Sequence, residues 1–177
     1  MNSALIEKAK VNPDAFGNLY EAFYDPLYRF VYIRVKNQDL CEDLLSQVWE
    51  KVLTHLKTLK SNAPEVFRAW IFRITLNTIH EHFRQHGKTL LPFPEDWDPP
   101  GNEDPIEELH GKTLEESITL VLHSLPPIER EICSLKIFGE LKNNEIAKCV
   151  NRSENLVAAY LSRSLKQVRT RLSSHLY

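Results

Sequence analysis

Residues 143–172 read Asn-Asn-Glu-Ile-Ala-Lys-Cys-Val-Asn-Arg-Ser-Glu-Asn-Leu-Val-Ala-Ala-Tyr-Leu-Ser-Arg-Ser-Leu-Lys-Gln-Val-Arg-Thr-Arg-Leu, and this stretch decides the fold. Asn143 can cap a short helix carrying Ile146, Ala147 and Val150. Asn151 tolerates the left-handed backbone of a tight turn. Ser153 then caps a longer helix in which Val157, Leu161, Leu165, Val168 and Leu172 recur at spacings of 4, 4, 3 and 4. That recurrence is one uninterrupted apolar stripe. A short helix, a turn of about three residues and a longer helix is the outline that lays the second helix in a major groove. With Val157 and Leu161 inward, Asn155, Ala158, Ala159, Ser162, Arg163 and Lys166 face outward. Arg163, Lys166, Arg169 and Arg171 suit phosphates. Arg152 and Asn155, near the helix start, suit base edges. Helical hairpins packed in a core share this outline, so the pattern alone leaves DNA binding and plain packing both open.

Outward from there, Pro126 and Pro127 start a helix with Ile128, Ile132, Leu135 and Ile137, closed by Gly139. Residues 91–117 differ in kind. They hold one Lys/Arg, nine Asp/Glu and five of the ten prolines, the composition of an extended linker. A helix is expected to restart near Pro105, through Ile106, Leu109, Leu114, Ile118, Val121 and Leu122. The flanking blocks are mildly basic: net +2 over residues 1–90 and net +4 over 118–177.

The first ninety residues are helical in period throughout. Ala15–Lys36 is dense in aromatics and reads as a long helix with a possible bend at Pro26. Asp39 with Glu42 is a capping-box pattern. Leu44, Leu45, Val48, Val52 and Leu56 then form a stripe. Pro64 suits a first turn, Phe67, Trp70, Ile71, Ile74 and Thr78 line one face, and Gly87 is the expected stop. The expected fold is all-α, with helical domains at 1–90 and 118–177 joined by the linker at 91–117.

Several functions are excluded or weakened. The three cysteines are odd in number and far apart, against a disulfide framework or a cysteine zinc site. Cys133 and Cys149 read as small core residues. His82 and His86 have the spacing of a helical metal pair, but His80 points away from it, so polar surface is the simpler account. No Ser/His/Asp set, glycine-rich phosphate loop or paired carboxylate site is legible. The chain is therefore expected to be no enzyme and to need no cofactor or metal. No apolar run reaches the ~18 residues of a membrane span, and no signal segment opens the chain, so membrane insertion is not expected and a cytoplasmic location is.

Three stretches together resemble the extracytoplasmic-function (ECF) sigma factors of bacterial RNA polymerase. They are Cys41-Glu-Asp-Leu-Leu-Ser-Gln-Val-Trp49, Phe67-Arg-Ala-Trp-Ile-Phe-Arg-Ile-Thr-Leu-Asn77 continuing to Phe83-Arg84, and Leu125-Pro-Pro-Ile-Glu-Arg-Glu-Ile with Asn144-Glu-Ile-Ala147 and the closing helix. Their order and the intervening linker extend the resemblance over nearly the whole chain. It implies a non-enzymatic promoter-recognition subunit with a region 2-like and a region 4-like domain. Its partners would be core polymerase (clamp and flap regions), promoter DNA and an anti-sigma factor. Asp43, Leu44, Gln47, Val48 and Trp49 would face the clamp, although Leu44 and Val48 also read as simple core. Arg73, Asn77, His80 and Arg84 would face the −10 element. The loop from Lys57 to Asn62, with Lys60 and Asn62, would hold a flipped base, a few kcal/mol recovered by stacking and edge contacts. Trp70 is a possible stacking platform, but its place in the stripe favours core. Arg152, Ser153, Asn155, Ala159, Arg163 and Lys166 would face the −35 element. The acidic linker would run toward the nascent-RNA channel, either imitating phosphates or merely staying solvated.

The chain departs from the family pattern in places. Ser46 and Gln47 stand where glutamine and glutamate are usual, Leu76 where arginine is frequent and Glu81 where aspartate is. Leu156 and Ala158 replace a frequent threonine and lysine, which puts base-specific reading by the second domain in doubt. Two alternatives follow: a sigma-like adaptor that binds polymerase or an anti-sigma factor without reading DNA, and a stand-alone helix-turn-helix repressor. The first ninety residues fit the repressor poorly, since they form neither a ligand pocket nor a dimerisation coil.

Overall fold

The computed structural model describes residues 2–86 and 114–173, with side chains of 114–116 left aside. Among the described residues there is no strand. Gly87, Pro105 and residues 91–113 of the expected linker lie outside the described residues, while residues 114–117, expected as its end, already belong to a helix. The helices fall into two compact units, α1–α4 and α5–α8.

The first unit opens with α1 (Ser3–Ala9), a helix not anticipated from sequence, capped by Asn2 Oδ1 on Leu5 N–H. α2 (Pro13–Val35) starts two residues before the expected Ala15. Asn12 Oδ1 accepts from Asp14 and Ala15 N–H, and Pro13 fills a position whose N–H would be orphaned. It runs on through Pro26, because Leu19, Phe23, Leu27 and Phe30 bury its inner face on both sides of the lost backbone bond. Lys36 ends it in the left-handed region at φ 47.

α3 (Gln38–His55) corrects the capping assignment. The left-handed Lys36 leaves Asn37 extended, so Asn37 Oδ1 accepts from Leu40 N–H at 2.8 Å and Asp39 already lies inside the helix. Glu42 instead accepts from Gln38 Nε2 at 3.0 Å. A single 3-10 turn (Leu56–Thr58) leads through a loop to α4 (Pro64–Gln85). Edge-to-face ring pairs dominate this core: Phe30 on Phe72 at 5.2 Å and Phe23 on Phe67 at 5.3 Å.

The second unit comprises α5 (Leu114–His123), α6 (Pro127–Ile137), α7 (Asn143–Val150) and α8 (Glu154–Ser173). α8 packs on each of the other three. Its core is aliphatic and smaller: Val121, Leu122, Leu125, Ile132, Leu135, Ile146, Val157, Leu161 and Val168. Arg130 closes α5 by donating from Nη2 to the His123 and Leu125 carbonyls, satisfying groups a helix end leaves open. The cap of α7 is Lys142, one residue before the expected Asn143, with Lys142 N–H donating to Glu145 at 2.7 Å.

Candidate nucleic-acid interface

Asn151 takes φ 52 and ψ 52, and Arg152 N–H closes on the Ala147 carbonyl at 3.0 Å. Ser153 Oγ accepts from Leu156 N–H at 3.3 Å and starts α8. Residues 151–153 are thus the three-residue turn of a helix-turn-helix. α8 buries Val157, Leu161, Ser164 and Val168, while Leu165 and Leu172 are only half-buried. Ser153, Asn155, Ala159, Arg163 and Lys166 are exposed and Arg152 is half-buried.

Below that surface lies a feature sequence reasoning missed. Glu129 of α6 is 6% exposed, and its carboxylate accepts from Arg163 Nη2 and from Ser164 Oγ. A buried carboxylate is tolerated when paired and hydrogen-bonded, and this one meets both conditions. Arg163 also stands over the Tyr160 ring at 5.2 Å. The guanidinium on the outer face of α8 is therefore held from below, not left to swing. A partner 34 positions away has no local signature, which is why the pairing was not legible.

On α4 the exposed positions Arg73, Asn77, His80 and Arg84 recur at 4, 3 and 4, a single outward row of hydrogen-bonding side chains. Phe67, Ile71, Phe72, Thr75, Leu76, Thr78 and Ile79 are buried opposite. Trp70 is half-exposed and touches Phe67, not the core residue expected, since burial follows the row of Phe67, Ile71 and Thr78. Lys51 of α3 donates to Thr78 Oγ1 at 3.1 Å and to Glu81 at 2.9 Å, fixing α4 on α3. That bond and the ammonium charge hold Glu81 below its usual carboxylate value. Burial, then the neighbouring His86, lowers His82, whose ring stacks on His86 at 4.2 Å.

The loop before α4 is tethered by α1. Lys10 Nζ donates to the Leu59 carbonyl at 3.2 Å, and Asn62 Nδ2 donates to Glu7. Lys60 stays exposed, while Asn62 is half-buried with Oδ1 shut away from solvent and left without a donor.

The clamp-facing set splits. Asp43 and Gln47 are exposed on one side of α3. Leu44 and Val48 are fully buried and Trp49 nearly so, against Phe16 at 5.8 Å and Tyr20 at 4.8 Å. These three hold α3 in place and offer no surface, a correction that follows from helical period: positions beside Asp43 and Gln47 turn inward. Cys41 and Cys133 are buried, and burial pushes each thiol up to about 12, so both stay protonated and inert. Cys149 is half-buried. Among the described residues no helix is long and apolar enough to cross a membrane.

The Sigma-70 region 2 model matches residues 19–89, and the Sigma-70, region 4 model matches residues 115–168. RNA polymerase sigma factor SigZ of Bacillus subtilis is 30% identical over 132 residues, covering 74% of this chain and 72% of SigZ. The ECF RNA polymerase sigma factor BldN of Streptomyces coelicolor is 27% identical over 92% of this chain, which spans 62% of BldN's length. RNA polymerase sigma factor SigV of Bacillus subtilis is 29% identical, with 82% of this chain and 84% of SigV covered. The structure of CnrH in complex with the cytosolic domain of CnrY shares the fold, with TM-score 0.66 and 19% identity over 98% of this chain and 97% of that one. A four-helix unit followed by a helix-turn-helix unit, each matched in that order by its own sigma region, puts the chain in the ECF family of RNA polymerase sigma factors, the subunits that direct promoter recognition and transcription initiation.

Proposed function

We propose that residues 1–90 engage core polymerase and the −10 element, that residues 118–177 engage the −35 element, and that 91–117 tether the two. The observation that carries this reading is the exposed row Arg73, Asn77, His80 and Arg84 on a helix whose other face is locked into an aromatic core. The arginines would hold phosphates, and Asn77 and His80 would bond base edges or backbone. Lys60 and Asn62, in the loop that precedes α4, would lie beside an unstacked base, with Lys60 exposed there. Asp43 and Gln47 remain the polymerase-facing pair. On α8, Arg152 and Asn155 near the helix start would meet base edges, with Ser153, Arg163 and Lys166 toward phosphates. The role is one of binding, not catalysis, exercised where polymerase works, in the cytoplasm. CnrH is held with the cytosolic domain of CnrY; an anti-sigma partner is proposed for this chain too.

Run-off transcription with bacterial core polymerase on a pooled promoter library tests the reading. Discrete start sites that require this protein, and that fade in Asp43→Lys and Asn77→Ala, are expected. Polymerase binding without new starts would favour the adaptor.

A further inference from the structure

On the outer face of α8, Leu156, Ala159, Arg163, Lys166 and Thr170 form one exposed row at spacings of 3, 4, 3 and 4. The row changes chemistry along its length. Its first two turns present carbon: Leu156 is 39% exposed, and Ala158 and Ala159 are exposed beside it. Its later turns present cations. In a helix-turn-helix the first turns of the second helix meet base edges, while cations farther along meet phosphates. Guanine shows only acceptors in the major groove and needs a donor, commonly arginine or lysine. Leu156, Ala158 and Ala159 carry no donor; of the nearby cations, Arg163 gives Nη2 to Glu129 and Arg152 gives Nη1 to the Asn151 carbonyl. The apolar group the major groove does offer is the thymine C5-methyl. Asn155, exposed one residue before Leu156, has the amide that pairs with adenine N6 and N7.

We propose that Leu156, Ala158 and Ala159 read thymine methyl groups, with Asn155 reading adenine, so that the second unit selects an A·T-containing −35 element by apolar contact instead of G·C pairs by hydrogen bonding. The inference rests on the promoter-binding reading given above and specifies its chemistry. The small alanines let the helix backbone approach the groove floor, and the pair of Glu129 and Arg163 sets its depth against the phosphates.

The test uses the full chain assembled with bacterial core polymerase. Active promoters are selected from a library randomised over the −35 region, and each selected thymine is then replaced by deoxyuracil. Deoxyuracil keeps every hydrogen-bonding group and lacks the methyl. Selected elements rich in A·T are expected, with promoter affinity falling about fourfold for each contacted methyl removed. In Leu156→Ser, which leaves no methyl at that position, the sensitivity at one thymine should vanish. All three positions are exposed, so the variants keep the fold. Selected elements rich in G·C, or indifference to deoxyuracil with discrete start sites intact, would overturn this inference and leave the sigma reading standing. So would a Leu156→Ser variant that weakens polymerase assembly without changing the selected sequence, since Leu156 would then be a protein contact. Absence of any new start site would overturn both.

Discussion

The two candidate DNA-facing helices are built on opposite plans. α4 presents hydrogen-bonding groups at Arg73, Asn77, His80 and Arg84 and rests on an aromatic and aliphatic bed in which the buried polar groups are the hydroxyls of Thr75 and Thr78. α8 exposes Leu156, Ala158 and Ala159 in its first two turns, after Glu154 and Asn155, and rests on a bed containing a buried carboxylate, Glu129, which reaches up to the surface arginine. In the first unit, stability and recognition occupy separate faces. In the second they share one residue, because Arg163 both satisfies a buried charge and stands on the outer face. A change on the outer row of α4 should therefore alter binding alone, whereas a change at Arg163 should alter both.

The largest expected effect probes the aromatic bed. Phe72→Ala should destabilise the first unit by about 3–5 kcal/mol, since it removes a fully buried ring and its edge-to-face contact with Phe30. Denaturant unfolding measures it, and a loss under about 1 kcal/mol would break the picture of a close-packed core.

Next come the two ends of the buried pair. Arg163→Ala leaves a charged carboxylate with Ser164 alone and should cost about 2–3 kcal/mol, less than for a fully buried pair because the arginine side chain is 65% exposed. Glu129→Gln keeps the shape and frees the arginine to water, costing about 1 kcal/mol. The inequality between them, read by thermal unfolding, is the point: equal costs would mean the carboxylate is not truly desolvated.

Smaller still are the effects on α4. Arg73→Ala should leave unfolding unchanged and lower the salt-dependence slope of promoter binding by about 1, the signature of one lost phosphate contact. Asn77→Ala should reduce promoter affinity roughly tenfold, within the 1–3 kcal/mol range of a base contact, at an unaltered salt slope. If the two variants shift the slope equally, phosphate and base roles are not divided along the row.

The smallest effect concerns pH. Burial and His86 favour the neutral ring of His82, so its folded value lies below the ordinary histidine value. Its stabilisation is complete above about pH 6.5 and is lost as pH falls through the lower folded value. Thermal unfolding scanned toward acid should decline less in His82→Gln than in the parent protein.

The helical period of the sequence determined most of this molecule. Hydrophobic spacing alone placed the stripes of α3, α4, α6 and α8, and Asn151 and Ser153 marked the turn, because period and turn chemistry are local properties. It also placed the outward face of α8, since inward and outward sides of one helix are fixed together, whereas the outward residues of α4 came from the family resemblance. Where local signals competed, tertiary structure decided. Asn37 took the cap from Asp39 because the preceding helix ended at a left-handed lysine. Trp49 went inward and Trp70 stayed half-exposed, although either indole could have filled a core. The ties of Glu7 to Asn62, Lys51 to Glu81 and Glu129 to Arg163 join residues 30 to 55 positions apart. No periodicity reports such pairs. They exist because packing brings distant polar ends together, and for the buried Glu129 a charge so placed must find its counterpart or leave.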